Sequence, residues 1–273
     1  MTSFPEVDLS IEGAAATVRL NRAEKKNAMS PQLHQSMSDA LDEIESHGAI
    51  KVVVVTGTGD SFCGGMDLEK CFLEPFGDAA RFEAVNATAL RWFKRLKGLP
   101  AVTVAKVNGW CFGGGFELAG ICDIVVAAED AVFGLSEINF GIFPGGGTMW
   151  ATAHNLPRKQ ALHYALTGET FTGREAVALG LVTKAVPRAE LDAAVGAVVA
   201  SLLAKNIHTL RAAKAVYEWS VKLDFDQSVD LEMAKLHELS YRSDHAWVRQ
   251  GLEQFRRRQY RPGLESYSLA EGD

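Results

Sequence analysis

Two glutamates in this chain could do chemistry together. Glu117 follows Gly113-Gly114-Gly115 with Phe116 between, Glu137 precedes Gly145-Gly146-Gly147, and twenty positions separate the two glutamates (137 − 117). A pair of carboxylates can hold one water and move protons in both directions. A solvated glutamate titrates near about 4.3, and burial against apolar neighbours raises that value, so one member can keep a proton while the other is ionised. Taken singly, either glutamate would equally suit a helix cap or an ion pair. Their shared glycine context is what points to a site.

Something must position these groups. An apolar strand is expected over residues 102–107, ahead of the first glycines, and a helical pattern over 118–121 follows them. A strand, then glycines, then a helix start presents bare backbone N–H groups on a concave surface, where an oxygen that becomes negative during a reaction could be held. Glu117 would sit in the first turn of that helix, where the dipole favours a carboxylate. Further strands are expected over 7–11, 17–20, 52–56, 124–127 and 132–133, the run at 52–56 being β-branched throughout, as in a buried parallel strand. Ser30-Pro31 opens an amphipathic helix carrying Leu33, Met37, Leu41 and Ile44, and another spans 79–96. Residues 57–66 read as irregular. From Thr148 onward the spacing predicts helices alone, over 148–166, 173–179, 190–203, 207–222, 225–241 and 245–258. The pattern is that of an α/β fold whose first part bears the sheet and whose last part is helical. Tyr217, Trp219, Tyr241, Trp247 and Phe255 give the late helices more apolar surface than one short module hides, so contact with another subunit is expected.

Composition narrows the class. At 273 residues, 47% hydrophobic and 23% charged, the chain suits one large globular domain with an appendage. A net charge of −6 gives nucleic acid or an anionic membrane no global attraction. No apolar run approaches the roughly 20 residues of a membrane span. The opening MTSFPEVDLSIEG lacks the basic and apolar regions of a signal peptide, and Cys63, Cys71, Cys111 and Cys122 form no CxxC pair, so a cytoplasmic protein without disulfides or zinc knuckles is expected. Leu118 stands where a dinucleotide fingerprint needs its third glycine, Ile138 where a nucleophile elbow needs its closing one. Neither glycine cluster leads into GK[ST], and His237-Glu238 lacks a second histidine. No metal is expected.

In order along the chain stand Asn21-Arg22-(x)4-Asn27-Ala28, Val53-Val54-Val55-Thr56-Gly57, Ser61-Phe62-Cys63-Gly64-Gly65-Met66-Asp67-Leu68, Val107-Asn108-Gly109, Gly113 to Ala119, Cys122-Asp123-Ile124, Phe133-Gly134, Glu137-Ile138 and Pro144-Gly145-Gly146-Gly147-Thr148. Leu166-Thr167-Gly168 and Ala176-(x)3-Gly180-Leu181-Val182 follow. The ordered set resembles the crotonase, or enoyl-CoA hydratase, superfamily over nearly the whole chain. The resemblance implies a crotonase spiral of ββα repeats over residues 1–200 and a C-terminal helical module over 201–273 that assembles trimers or dimers of trimers. It places an oxyanion hole on the backbone N–H groups of Met66 and Gly114, each donor worth on the order of 3 kcal/mol. Glu117 and Glu137 become the acid/base pair that adds water across C2=C3 of an enoyl-CoA, Glu137 delivering the proton to C2. Coenzyme A, part of the substrate rather than a separate cofactor, would lie against Lys25, Ala28, Gly64, Asp67 and Leu68. Arg256, in the basic run Arg256-Arg257-Arg258, would reach CoA phosphates, although a solvated basic face explains that run equally.

The stretches around Phe112 to Phe116 and Phe133 to Ile142 are similar to hydroxycinnamoyl-CoA (feruloyl-CoA) hydratase-lyases, which hydrate a phenolic enoyl thioester and split it to an aromatic aldehyde and acetyl-CoA. That subgroup carries two pocket tyrosines where this chain has Cys71 and Met233, and it tends to lack the first glutamate, here retained as Glu117. Hydration is therefore the expected step, and an acyl pocket of Cys71, Phe72, Trp92 and Met233 is expected to take an apolar or aromatic group. Cleavage after hydration is one alternative; a non-catalytic acyl-CoA-binding protein is another. A double-bond isomerase, needing one proton shuttle and no water, fits the two glutamates less well.

Overall fold

The computed structural model describes residues 1–263 and 265–269; of the expected C-terminal module, residues 264 and 270–273 lie outside them. The chain separates into two compact units. The first comprises residues 1–99 and 103–196, the second residues 100–102 and the chain from 197 onward.

The first unit carries strands β1 (Thr2–Phe4), β2 (Val7–Glu12), β3 (Ala15–Leu20), β4 (Val52–Gly57), β5 (Ser61–Cys63), β6 (Val102–Val107), β7 (Trp110–Phe112), β8 (Ile124–Ala128), β9 (Val132–Gly134), β10 (Thr170–Thr172) and β11 (Lys184–Val186). They form two sheets. One has the order β1-β2-β3-β4-β6-β8-β11, the other β10-β9-β7-β5. Successive strands therefore alternate between sheets: β4 goes to the first and β5 to the second, as do β6 and β7, then β8 and β9. Helices α1 (Pro31–Ser46), α2 (Ala79–Lys97), α3 (Gly114–Gly120), α4 (Thr148–Asn155), α5 (Arg158–Thr167) and α6 (Gly173–Leu179) lie between them, and α7 (Leu191–Leu203) leads out. This is the ββα winding that the sequence resemblance implies.

The change of sheet between β4 and β5 leaves carbonyls that two asparagines satisfy. Asn108 Nδ2 donates to the carbonyls of Gly57, Gly59 and Ser61 at 3.1, 2.9 and 3.2 Å. Asn27 Nδ2 donates to Thr58 and Ser61 carbonyls at 2.9 and 2.8 Å. Both side chains are buried, where an unmade bond would be costly. β4 is buried at every position, as its β-branched run requires.

The expectation of helices alone after Thr148 is corrected in two ways. β10 pairs antiparallel with β9 and β11 parallel with β8, each closing one sheet. Strands of three residues are too short for any periodicity to show. The single helix expected over 148–166 is two, because Leu156 before Pro157 takes an extended ψ of 145° and ends α4. The same shortness hid β5 inside the stretch read as irregular.

The second unit holds α8 (Ile207–Ser220), α9 (Phe225–Arg242), a wide-turned segment (Trp247–Leu252) and α10 (Glu253–Arg256). Asn206 caps α8 by accepting from the His208 and Thr209 amides, and Asp224 caps α9 in a reciprocal box with Gln227.

Candidate active site

A cavity of about 980 Å³ opens in the first unit, and both glutamates line it together with Met66, Gly113, Gly114, Gly146 and Thr148. Glu117 stands in the first turn of α3, as its place after the glycines predicts. Its carboxylate accepts from the Gly147 amide and from Thr148 Oγ1 at 3.4 Å. A Cβ at Gly147 would overlap Glu117 Oε1, so the second glycine run is what allows the chain to close over this carboxyl. Burial pushes Glu117 up to about 7; the Gly147 and Thr148 hydrogen bonds oppose that, and the nearby Glu137 carboxylate adds to it.

Glu137 sits on a short 3₁₀ turn (Ser136–Phe140) between β9 and α4. A Cβ at Gly113 would stand only 2.9 Å from its Oε1, so the first glycine run makes room for the second glutamate. Burial raises its pKa too. Its Oε2 is buried with no hydrogen-bond partner among the described residues. A buried acceptor without a protein donor, facing a cavity beside a second carboxyl, suits a water or a substrate proton.

The backbone donors come from two loops. Met29 makes one parallel bridge to Met66, its N–H donating to the Gly65 carbonyl and its own carbonyl accepting from the Asp67 amide, both within 2.9 Å. That pairing turns the Met66 N–H away from Met29. Gly114 is the first residue of α3, so its N–H has no partner within the helix. A Cβ on Gly114 would lie 3.9 Å from Met66 N, and one on Gly65 would lie 3.6 Å from Gly114 N. The two amides are neighbours. The positive φ values of Gly65 (98°) and Gly113 (51°) give the loops this shape.

Lys25, Ala28, Gly64 and Leu68 line the same cavity, and Lys26 joins them, its Nζ 5.1 Å from the centre of the Trp110 ring and 3.3 Å from Asp60. Asp67 is not on the cavity wall. Its buried carboxylate pairs with Arg22 at 2.7 Å and accepts from the Lys70 amide, so it anchors the loop that carries Met66. Arg256 is on α10 of the second unit, exposed and paired with Glu253 at 3.0 Å. Among the described residues no group of three or more His, Cys, Asp or Glu side chains has a metal-ligating arrangement.

The expected acyl pocket needs correction. Cys71 Sγ turns into the core and donates to the Met29 carbonyl at 3.3 Å, burial holding its thiol up at about 12. Trp92 is fully buried and donates Nε1 to His34 Nδ1 at 3.0 Å. Met233 belongs to α9 of the second unit and is half exposed. Of the three in the first unit, only Phe72 lines the cavity. Its apolar wall is instead Phe82, Ala89, Leu90 and Phe93 from α2, with Phe140, Ile142 and Phe143 from the segment after Glu137. The 4-3-4 spacing of Phe82, Asn86, Ala89 and Phe93 was the available signal, but an apolar helical face reads as core unless a cavity is known to adjoin it.

The chain matches the enoyl-CoA hydratase/isomerase family model over residues 10–261. It is 40% identical over 264 residues to a hydroxycinnamoyl-CoA hydratase-lyase of Pseudomonas fluorescens, covering 96% of each chain. A crotonyl-CoA hydratase of Syntrophomonas wolfei is 30% identical, with 84% of this chain and 88% of that one covered. Among solved structures, an enoyl-CoA hydratase of Mycobacterium smegmatis superposes with a TM-score of 0.86 at 26% identity, over 93% of this chain and 97% of that one. A Thermobifida fusca protein in complex with CoA superposes at 0.79 with 28% identity, over 88% and 95%. A wound pair of sheets carries two glutamates and two neighbouring backbone amides around one cavity, and this chain belongs to the enoyl-CoA hydratase/isomerase family.

Proposed function

We propose that this protein adds water across the C2=C3 bond of α,β-unsaturated acyl-CoA thioesters. One observation carries the reading: a buried Glu117 and a half-buried Glu137, both with raised pKa, share a cavity with the neighbouring Met66 and Gly114 amides. The amides hold the thioester oxygen as it gains charge. The oxygen of the water bonds to C3 while Glu117 takes one of its protons, and Glu137 gives a proton to C2. Glu117 then releases its proton to solvent and Glu137 regains one, so the sum is one water added, with no redox change. Lys25 and Lys26 at the mouth suit the CoA phosphates, in keeping with the relative solved with CoA. The substrate supplies the only CoA the reaction needs, and the cytoplasm is the proposed location.

The test is a mass-resolved product assay on crotonyl-CoA and feruloyl-CoA. Gain of one water on either supports the reading, and no turnover of either sinks it. Glu137→Gln should cut the rate on the order of 10³-fold while the protein still retains thioester. A second reading, hydratase-lyase, is favoured by the Pseudomonas fluorescens relative and by the aromatic wall of the cavity. It would show as vanillin and acetyl-CoA from feruloyl-CoA.

A further inference from the structure

The apolar wall that α2 gives the cavity is interrupted by one amide. Phe82, Asn86, Ala89, Leu90 and Phe93 all line the cavity from this helix, and Phe140 and Phe143 line it too. Asn86 Nδ2 donates to the Phe82 carbonyl one turn earlier, at 2.8 Å. That bond orients the amide and leaves Oδ1 as an acceptor to which no described residue donates. The other polar side chains on the cavity wall are Lys25 and Lys26 at its mouth, and Glu117, Ser136, Glu137 and Thr148 around the reacting atoms. Asn86 alone stands on the wall that α2 contributes.

Resting on the hydratase reading of this site, we infer that Asn86 is a specificity-determining residue: its Oδ1 accepts a hydrogen bond from a hydroxyl on the acyl group, and that acyl group is aromatic. Phenylalanine faces around a single acceptor suit a ring with one hydroxyl. Asn86 is half-buried, so an acyl group that fills the cavity shields its Oδ1 from water; a substrate O–H then matches the acceptor and the same substrate without it leaves the acceptor unpaired, so discrimination comes from the analogue's failure as much as from the match. An amide oxygen also favours the neutral phenol over its anion. Ionisation of that hydroxyl is what would push electrons toward carbon–carbon cleavage, so the same residue favours stopping at the hydrated thioester.

The experiment compares kcat/KM for 4-hydroxycinnamoyl-CoA and cinnamoyl-CoA in the wild type, Asn86→Leu and Asn86→Ala. Both replacements suit a helix, and the alanine keeps the comparison available if leucine crowds the wall. The wild type should prefer the hydroxylated thioester by roughly ten-fold or more, and both variants should lose that preference. A wild type without preference, or variants that keep it, overturns the inference. A third substrate, an aliphatic enoyl-CoA ending in a hydroxyl, tests the ring: a wild type that favours it over 4-hydroxycinnamoyl-CoA refutes the aromatic assignment. Turnover of cinnamoyl-CoA without discrimination refutes only the role of Asn86, whereas no turnover of any thioester refutes the hydratase reading itself.

Discussion

At the scale of single residues, the site depends on side chains that are missing. Gly113 and Gly147 leave room for the carboxylates of Glu137 and Glu117, the first half-buried and the second buried, and burial is the first cause of both raised pKa values. Holding Glu117 near 7 instead of 4.5 has a consequence for stability. Between those values the folded chain binds a proton that the unfolded chain has released, so this contribution is complete below 4.5 and is lost as pH rises through 7. Glu117→Gln has nothing to ionise. Relative to that variant, the wild type should lose up to about 3 kcal/mol of unfolding free energy between about pH 5 and pH 8, read from urea melts. Parallel curves would mean that the carboxyl is solvated. The position of each glutamate beside a glycine run is plain in the sequence; that each run packs against a carboxylate is not, because the partners are distant in the chain.

At the scale of elements, α2 matters most, since it forms the apolar wall. It is pinned to α1 by the bond from Trp92 Nε1 to His34 Nδ1, and Trp92 stacks at 3.9 Å on Phe93, which lines the cavity. With Nδ1 accepting, the His34 proton sits on Nε2, which is buried without a partner among the described residues. Burial lowers His34 from 6.5 to about 4. The sign is opposite to that of Glu117: the contribution is complete above 6.5 and is lost as pH falls toward 4, because the unfolded histidine takes a proton that the folded one refuses. Wild type should weaken by up to about 3 kcal/mol across that window relative to His34→Gln. The two terms oppose each other in the wild type, so only the single variants reveal the slopes. A His34→Gln profile that tracks the wild type would show that the imidazole is hydrated. The sequence shows α2 as an amphipathic helix; which of its aromatic residues faces the core and which the cavity depends on α1, 58 positions away at the pinning bond.

At the scale of the whole molecule, the second unit carries large apolar side chains that its own fold leaves in water. Phe225 and Tyr241 are 81% and 84% exposed, and Tyr217 and Trp219 are more than half exposed. Surface of this kind on successive helices suits a subunit contact, and a homotrimer or dimer of trimers is proposed. Sedimentation should give a multiple of 29.6 kDa, and Trp219→Glu should shift the population toward monomer. A wild type that sediments at the single-chain mass would remove the proposal.

What the sequence determined by itself was the set of chemical groups and most of the long elements. The strand at Val102–Val107 and the helix at Gly173–Leu179 have their expected bounds, since a valine-rich strand and a capped apolar helix are local patterns. The two glutamates and the glycine turns were legible for the same reason, as was the family, whose motifs are contiguous. The tertiary structure decided what depends on neighbours far along the chain. It made strands of three-residue segments by giving them sheet partners, and it committed Asp67 to Arg22. It also sent Cys71 and Trp92 into the core and put Phe82, Asn86 and Phe93 on the cavity wall. Residue type and periodicity say that a side chain is apolar or able to hydrogen-bond; only packing says what it meets.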